Sequence, residues 1–159
     1  MVDEDPNLPD ESGFNFDSPI VKDGYAYWRS KLKDGALPAR ADIDPAEIPR
    51  LLPNIILLDV QREPDWDFRY RLIGTRVVEH LFRDYTGMWF SEIDHQRPPS
   101  TLWSNCRQVA ESAAPMLANT EYIGPHQGFR RAEDVLLPLA DDGRTVDTLL
   151  VFVAYLPRV

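Results

Sequence analysis

The last third of the chain reads as three strands in a row, and no other feature so narrows what it can fold into. Residues 116–123, 131–140 and 145–156 are strand-length segments rich in aliphatic and aromatic side chains. Asp141-Asp142-Gly143-Arg144 has the composition of a tight turn between antiparallel neighbours. Two further strands are read upstream. Residues 55–60 are apolar nearly throughout, as a buried strand would be. Phe68, Tyr70 and Leu72 then alternate with Arg69, Arg71 and Ile73, which reads as a half-buried strand returning across the turn Pro64-Asp65-Trp66-Asp67 and ending at Gly74. Two strands, a helical crossing and three more strands make a five-stranded antiparallel sheet with helices on one face, an α+β architecture.

The helices are legible from their caps. Asp17-Ser18-Pro19 offers an N-cap followed by proline where its missing N–H does no harm. Val21, Tyr25, Trp28 and Leu32 follow at spacings of one helical face, and Gly35 supplies a stop. This amphipathic helix either packs on its own domain or also forms a dimer contact. Asp44-Pro45 opens a short helix through Ile48 to Leu52, closed by Pro53. Thr75 to Phe82 reads as a short helix with Val77, Val78, Leu81 and Phe82 on its apolar side. A longer helix spans 99–114, with Leu102, Trp103, Cys106, Val109 and Ala113 at helical spacing and Pro115 as terminator. The chain thus divides into a flexible acidic leader (1–16), N-terminal helices and connector (17–53) and a core (54–159).

Charge and composition exclude several classes. The chain carries 17 basic and 26 acidic residues, a formal balance of −9. Seven of the acids (Asp3, Glu4, Asp5, Asp10, Glu11, Asp17, Asp23) precede residue 25, so the body is close to neutral. No clustered basic face joins a nucleic-acid motif, so no nucleic acid is expected. No apolar run approaches the roughly 18 residues of a membrane span. With no signal-like start, a cytoplasmic location is the expectation. The single cysteine rules out an intramolecular disulfide.

The wording of the chain resembles a family. Tyr27-Trp28-Arg29, then Leu37-Pro38-Ala39-Arg40-Ala41-Asp42-Ile43-Asp44-Pro45, is similar to the opening of a bacterial, mainly alphaproteobacterial, family of single-domain PAS proteins. The resemblance continues through Leu51-Leu52-Pro53-Asn54, Phe68-Arg69-Tyr70-Arg71-Leu72-Ile73-Gly74-Thr75, Asp84-Tyr85-Thr86-Gly87 and Leu137-Pro138-Leu139 with Asp142-Gly143. It implies a PAS-like sheet with helices on one face plus the N-terminal amphipathic helix. It also implies a sensory or interaction domain with a pocket between sheet and helices. It names no ligand, because PAS domains bind haem, flavins, small acids, fatty acids or nothing visible.

Few residues suggest chemistry. Asn105-Cys106-Arg107-Gln108 superficially resembles the reactive motif of flavin light sensors, but its flanks and placement differ, and Cys106 reads as a buried, inert thiol. His80, His95 and His126 lack metal-ligand spacing, so no metal is expected. His95 lies near where haem-binding PAS domains carry an axial ligand, which leaves haem as a minor alternative to no cofactor. Gly124-Pro125-His126-Gln127-Gly128 reads as a loop between strands rather than a phosphate cradle. No catalytic constellation or nucleotide loop is present, so an enzyme is not expected.

Aromatic residues carry the pocket expectation. Tyr70, Trp89, Trp103 and Tyr122, with Leu72 and Val78, fall on elements that face the inner space and either line a ligand site or fill a core. Arg71 could reach inward to hold a carboxylate, or pair with an acid across the sheet. The functional expectation is a stand-alone sensory or regulatory domain that binds a small ligand or a partner protein. It would signal to another protein by non-covalent contact, as a homodimer. The alternative is an adaptor with a filled core and no ligand.

Overall fold

The computed structural model describes residues 13–157, so residues 1–12 of the expected leader lie outside the described residues. Five strands, β1 (Ile55–Gln61), β2 (Asp67–Ile73), β3 (Met116–Glu121), β4 (Phe129–Leu139) and β5 (Thr148–Pro157), form one antiparallel sheet in the order β2-β1-β5-β4-β3. The helices are α1 (Pro19–Ser30), α2 (Thr75–Glu79) and α3 (Thr101–Ser112), with short 3₁₀ turns between them.

Alternation along β5 defines two cores. Leu149, Val151 and Val153 point to an inner face, covered by α2, α3 and the segment around Phe90. Leu150, Phe152 and Ala154 point to an outer face, covered by α1 and by Ile43, Ile48 and Leu51. The expected helices lie over the inner face, and α1 closes the other.

The start of α1 follows its sequence cues. Ser18 is the N-cap, its Oγ accepting from the Val21 N–H at 3.4 Å, and Pro19 opens the helix. Phe14 and Phe16 pack their rings against Tyr25. Trp28 donates from Nε1 to the Pro138 carbonyl at 2.9 Å, which ties the helix to β4. The helix ends at Ser30, short of Leu32, which is 43% exposed.

Other boundaries shift for local reasons. The expected single helix through Ile48 resolves into two 3₁₀ turns, Pro45–Glu47 and Leu52–Asn54. α2 stops at Glu79, so Phe82 does not join an apolar face and is 62% exposed. Ser100 caps α3 through the Trp103 N–H, and Ala113 ends it in the left-handed region at φ 56°. The turn before β5 is held by Asp142 Oδ1, which accepts from Arg144 N (2.8 Å) and Thr145 N (2.7 Å), so β5 begins at Thr148.

One bulge re-aims β2. Leu57 pairs with Leu72 and Leu58 with Tyr70, which leaves Arg71 as an extra residue. Phe68 and Tyr70 point inward, but beyond the bulge Ile73 does so instead of Leu72. The outer edge of β2 is covered by the chain itself, through Gly87 N to Tyr70 O (2.7 Å) and Tyr70 N to Met88 O (3.0 Å).

Gly24 lies in α1 against the Phe152 ring, and a Cβ there would overlap the ring atoms. In a free helix, glycine to alanine stabilises by about 1 kcal/mol. Here the overlap reverses the sign, because Phe152 is fully buried and cannot retreat. Gly24→Ala is expected to destabilise by about 1–3 kcal/mol, read as a lower urea midpoint; an unchanged or higher midpoint would contradict the close approach.

Candidate functional site

The inner face is the candidate site, and its apolar part is packed. Phe68, Tyr70, Phe90, Cys106, Leu136 and Val151 fill the space between sheet and helices. The Tyr70 ring lies 5.2 Å from Phe90 and 6.2 Å from Tyr85, centroid to centroid. Its hydroxyl donates to Gln96 Oε1 at 2.7 Å. Burial pushes the Tyr70 hydroxyl pKa up, with a further push from neighbouring Cys106. Among the described residues, no buried side-chain nitrogen or oxygen lacks a hydrogen-bond partner.

A second buried polar group lies on β4. Asp134 is 6% exposed and faces inward, where Thr120 Oγ1 donates to its Oδ1 at 3.2 Å. Desolvation lifts its carboxyl from the ordinary 3.8 to about 7; the Thr120 bond opposes this and the Glu133 charge adds to it. Cys106 on α3 sits fully buried, its thiol pushed well up by burial and then by the Asp134 charge. Burial also raises the Tyr155 hydroxyl, with Tyr122 and Asp134 contributing.

The neighbouring Glu133 faces the other way. It is fully buried beneath the start of α1, where Oε2 accepts from Asp17 N (2.8 Å) and Oε1 from Ser18 N (2.9 Å). Arg131, two residues back, donates to Asp17 Oδ2 at 2.6 Å and also to Asn119 Oδ1. Strand β4 therefore carries the inner acid and the anchor of the outer helix on adjacent residues.

An aromatic group closes one end. His80 stacks on Tyr155 with ring centroids 4.0 Å apart and planes 2° from parallel. Tyr122 donates to the His80 carbonyl at 2.8 Å, and His126 Nε2 lies 2.7 Å from the Glu79 carbonyl. Tyr122 and, from the Gly124–Gly128 loop, His126 thus tie down the C-terminal end of α2.

The expected pocket residues do not converge. Tyr70 is in the inner core, and Val78 and Trp103 pack against it from partly buried positions. Trp103 donates from Nε1 to the Trp66 carbonyl at 3.0 Å, and the Arg107 guanidinium lies 5.6 Å from its ring centroid. Trp89 lies outside, paired with β2 and under Arg69. Tyr122 belongs to the end cluster. Leu72 is 42% exposed because the bulge turns it outward. Arg71 does not reach inward: it donates to Asp59 Oδ1 at 2.9 Å, while Arg69 holds Oδ2 at 2.8 Å, an ion pair across the sheet. His95, the axial-ligand alternative, is exposed.

The expected dimer helix is divided. Val21, Tyr25 and Trp28 are buried against the chain's own sheet, and Leu32 is outside α1. Beside α1 runs an open groove of about 420 Å³ lined by Asp23, Tyr27, Glu47, Pro49, Arg50 and neighbours. A second hollow of about 480 Å³ lies at Asp17, Arg130, Arg131, Leu156 and Pro157. Glu133, Asp134, Thr120 and Gln96 were not singled out from sequence. The available signal was two adjacent acids inside an otherwise apolar run, Ala132-Glu133-Asp134-Val135-Leu136-Leu137.

The five-stranded antiparallel sheet, with a helical crossing between its second and third strands in chain order, is an α+β arrangement. A family model described as PAS domain matches residues 17–153, and the chain belongs to that family. No curated protein and no solved structure matches the chain. Among the described residues, no helix is long and apolar enough to cross a membrane, and no three His, Cys, Asp or Glu residues gather as a metal site.

Two measurements check this geometry. Tyr70→Phe removes the donor to Gln96 Oε1 and is expected to destabilise by about 1–3 kcal/mol, seen in urea unfolding; no loss would mean the bond is not made. Asp134 has a folded pKa above its unfolded value, so its neutral form favours folding at low pH, and that contribution is lost as pH rises through about 7. Across that window it amounts to roughly 4 kcal/mol. Unfolding midpoints of wild type should fall between pH 4 and 8, and Asp134→Asn should flatten the slope.

Proposed function

We propose that this PAS domain is a regulatory module that passes its signal to another protein by non-covalent contact, with α1 and the groove beside it as the contact surface, and carries out no reaction. The observation that supports this reading best is the packed inner core, whose polar groups are already paired. Recognition then falls to the outside, where Asp23 and Tyr27 of α1 face the Arg50 guanidinium across the groove. Asp23 and Arg50 pair at 2.6 Å, and Lys31 pairs with Glu47 at 2.8 Å. Exposed pairs of this kind exchange partners at little cost. A homodimer through the same surface fits this reading equally.

A small ligand on the inner face is the second reading. It is favoured by Asp134, a buried carboxyl with one hydrogen-bond partner in an aromatic surrounding. Native mass spectrometry of freshly purified protein distinguishes the two. A bare chain of 18.3 kDa, or a whole-number multiple, is the expected result. A retained small mass would favour the ligand reading. Light scattering on wild type and on Arg50→Glu then tests the contact surface: an assembly that survives Arg50→Glu unchanged does not use the groove.

A further inference from the structure

Two carboxyl groups occupy adjacent positions in the middle of an apolar sheet, on opposite faces of one strand. Such placement is expensive, because a carboxylate loses its hydration and like charges raise each other's energy in a medium that screens poorly. Among the described residues, neither group forms an ion pair with a basic side chain. Around Asp134 stand Thr120 from β3, Cys106 from α3, Tyr155 from β5 and Glu133 beside it on β4. Among the described residues, Glu133 accepts from the Asp17 and Ser18 backbone N–H groups, while Arg131 is engaged by Asp17 and Asn119.

We propose that Glu133 and Asp134 form a two-faced acid switch, in which a proton on Asp134 keeps α1 docked and loss of that proton loosens it. With Asp134 neutral, the pair carries one charge, on Glu133, and two N–H groups at the positive end of α1 satisfy it. When Asp134 ionises, two negative charges share one strand, with no basic side chain paired to either among the described residues. Detaching the start of α1 is the move that relieves them, because it opens Glu133 to water. The Asp134 carboxyl titrates near neutrality, so the change falls within the pH range a cell can traverse. A hydrogen-bond donor or a cation brought to the inner face would act on the same switch, by favouring ionised Asp134 at constant pH.

This inference rests on the reading of α1 as the signalling surface, and the experiment separates the two. Hydrogen-exchange protection factors, corrected for intrinsic rates, are measured for α1 and β5 in the full chain between pH 6 and pH 8. The expected result is a fall of about tenfold in α1, equivalent to one pKa unit of relief, by an opening that starts from lower protection than β5, while β5 falls by no more than the loss of global stability over the same interval. Asp134→Asn abolishes the fall and keeps α1 protected. Glu133→Gln lowers α1 protection at both pH values and makes it independent of pH. Carbon-13 titration of the wild-type aspartates gives a check without a variant: the Asp134 carboxyl and the α1 amides must share one midpoint. A pH-independent α1, a fall that persists in Asp134→Asn, or separate midpoints overturn the switch. An α1 that responds to pH while light scattering shows no contact through the groove upholds the switch and removes the signalling reading instead.

Discussion

Strand β5 is apolar on both faces, and the remaining elements are arranged by the need to cover it twice. Val151 and Val153 demand an inner lid, which α3 supplies through Cys106, Val109 and Ala110. Leu150 and Phe152 demand an outer one, which α1 supplies through Val21, Tyr25 and Trp28. Fully burying one such side chain contributes about 1.5–3 kcal/mol. Without α1, the outer face would present a contiguous apolar surface of the kind that soluble domains rarely leave open. The N-terminal helix is therefore part of the fold, and that obligation limits what else its apolar face can do.

Polar contacts decide how that helix is held. The apolar face of α1 fixes its position over the sheet, but its start is fixed by hydrogen bonds from β4, through Glu133 and Arg131 to Asp17 and Ser18. Apolar packing tolerates small slides; two N–H groups shared by one buried carboxylate do not. The helix thus has an adjustable body and a defined anchor. The anchor's nearest neighbour along the chain is the acid that faces the inner core.

Much of the fold was legible because it depends on local periodicity. The five strands, the N-cap at Ser18 and the turn at Asp142-Gly143 follow from alternation, capping and turn chemistry, and the structure holds them close to the expected places. The candidate site was less legible, for two physical reasons. A single extra residue at Arg71 inverts every later assignment of faces along β2, and no composition cue marks a bulge of this kind. Pocket and core also look alike in sequence: Tyr70 suits either, and only the Gln96 acceptor and the surrounding rings show that it is packed in. Glu133 and Asp134 escaped for the opposite reason. Acids in a strand suggest an exposed face, and only tertiary packing buries both.

The two margins of the sheet are treated differently. The segment 87–89 lies along β2 and pairs with the Tyr70 backbone groups there, whereas β3 ends the strand order with β4 as its single neighbour among the described residues. Among the described residues, the β3 margin is thus the more open of the two to backbone pairing with a further extended chain, so growth of the sheet is favoured in one direction. Residues 116–121 hold one charge, Glu121, and no proline within the strand, which leaves that margin with a single chemical guard against unwanted strand addition.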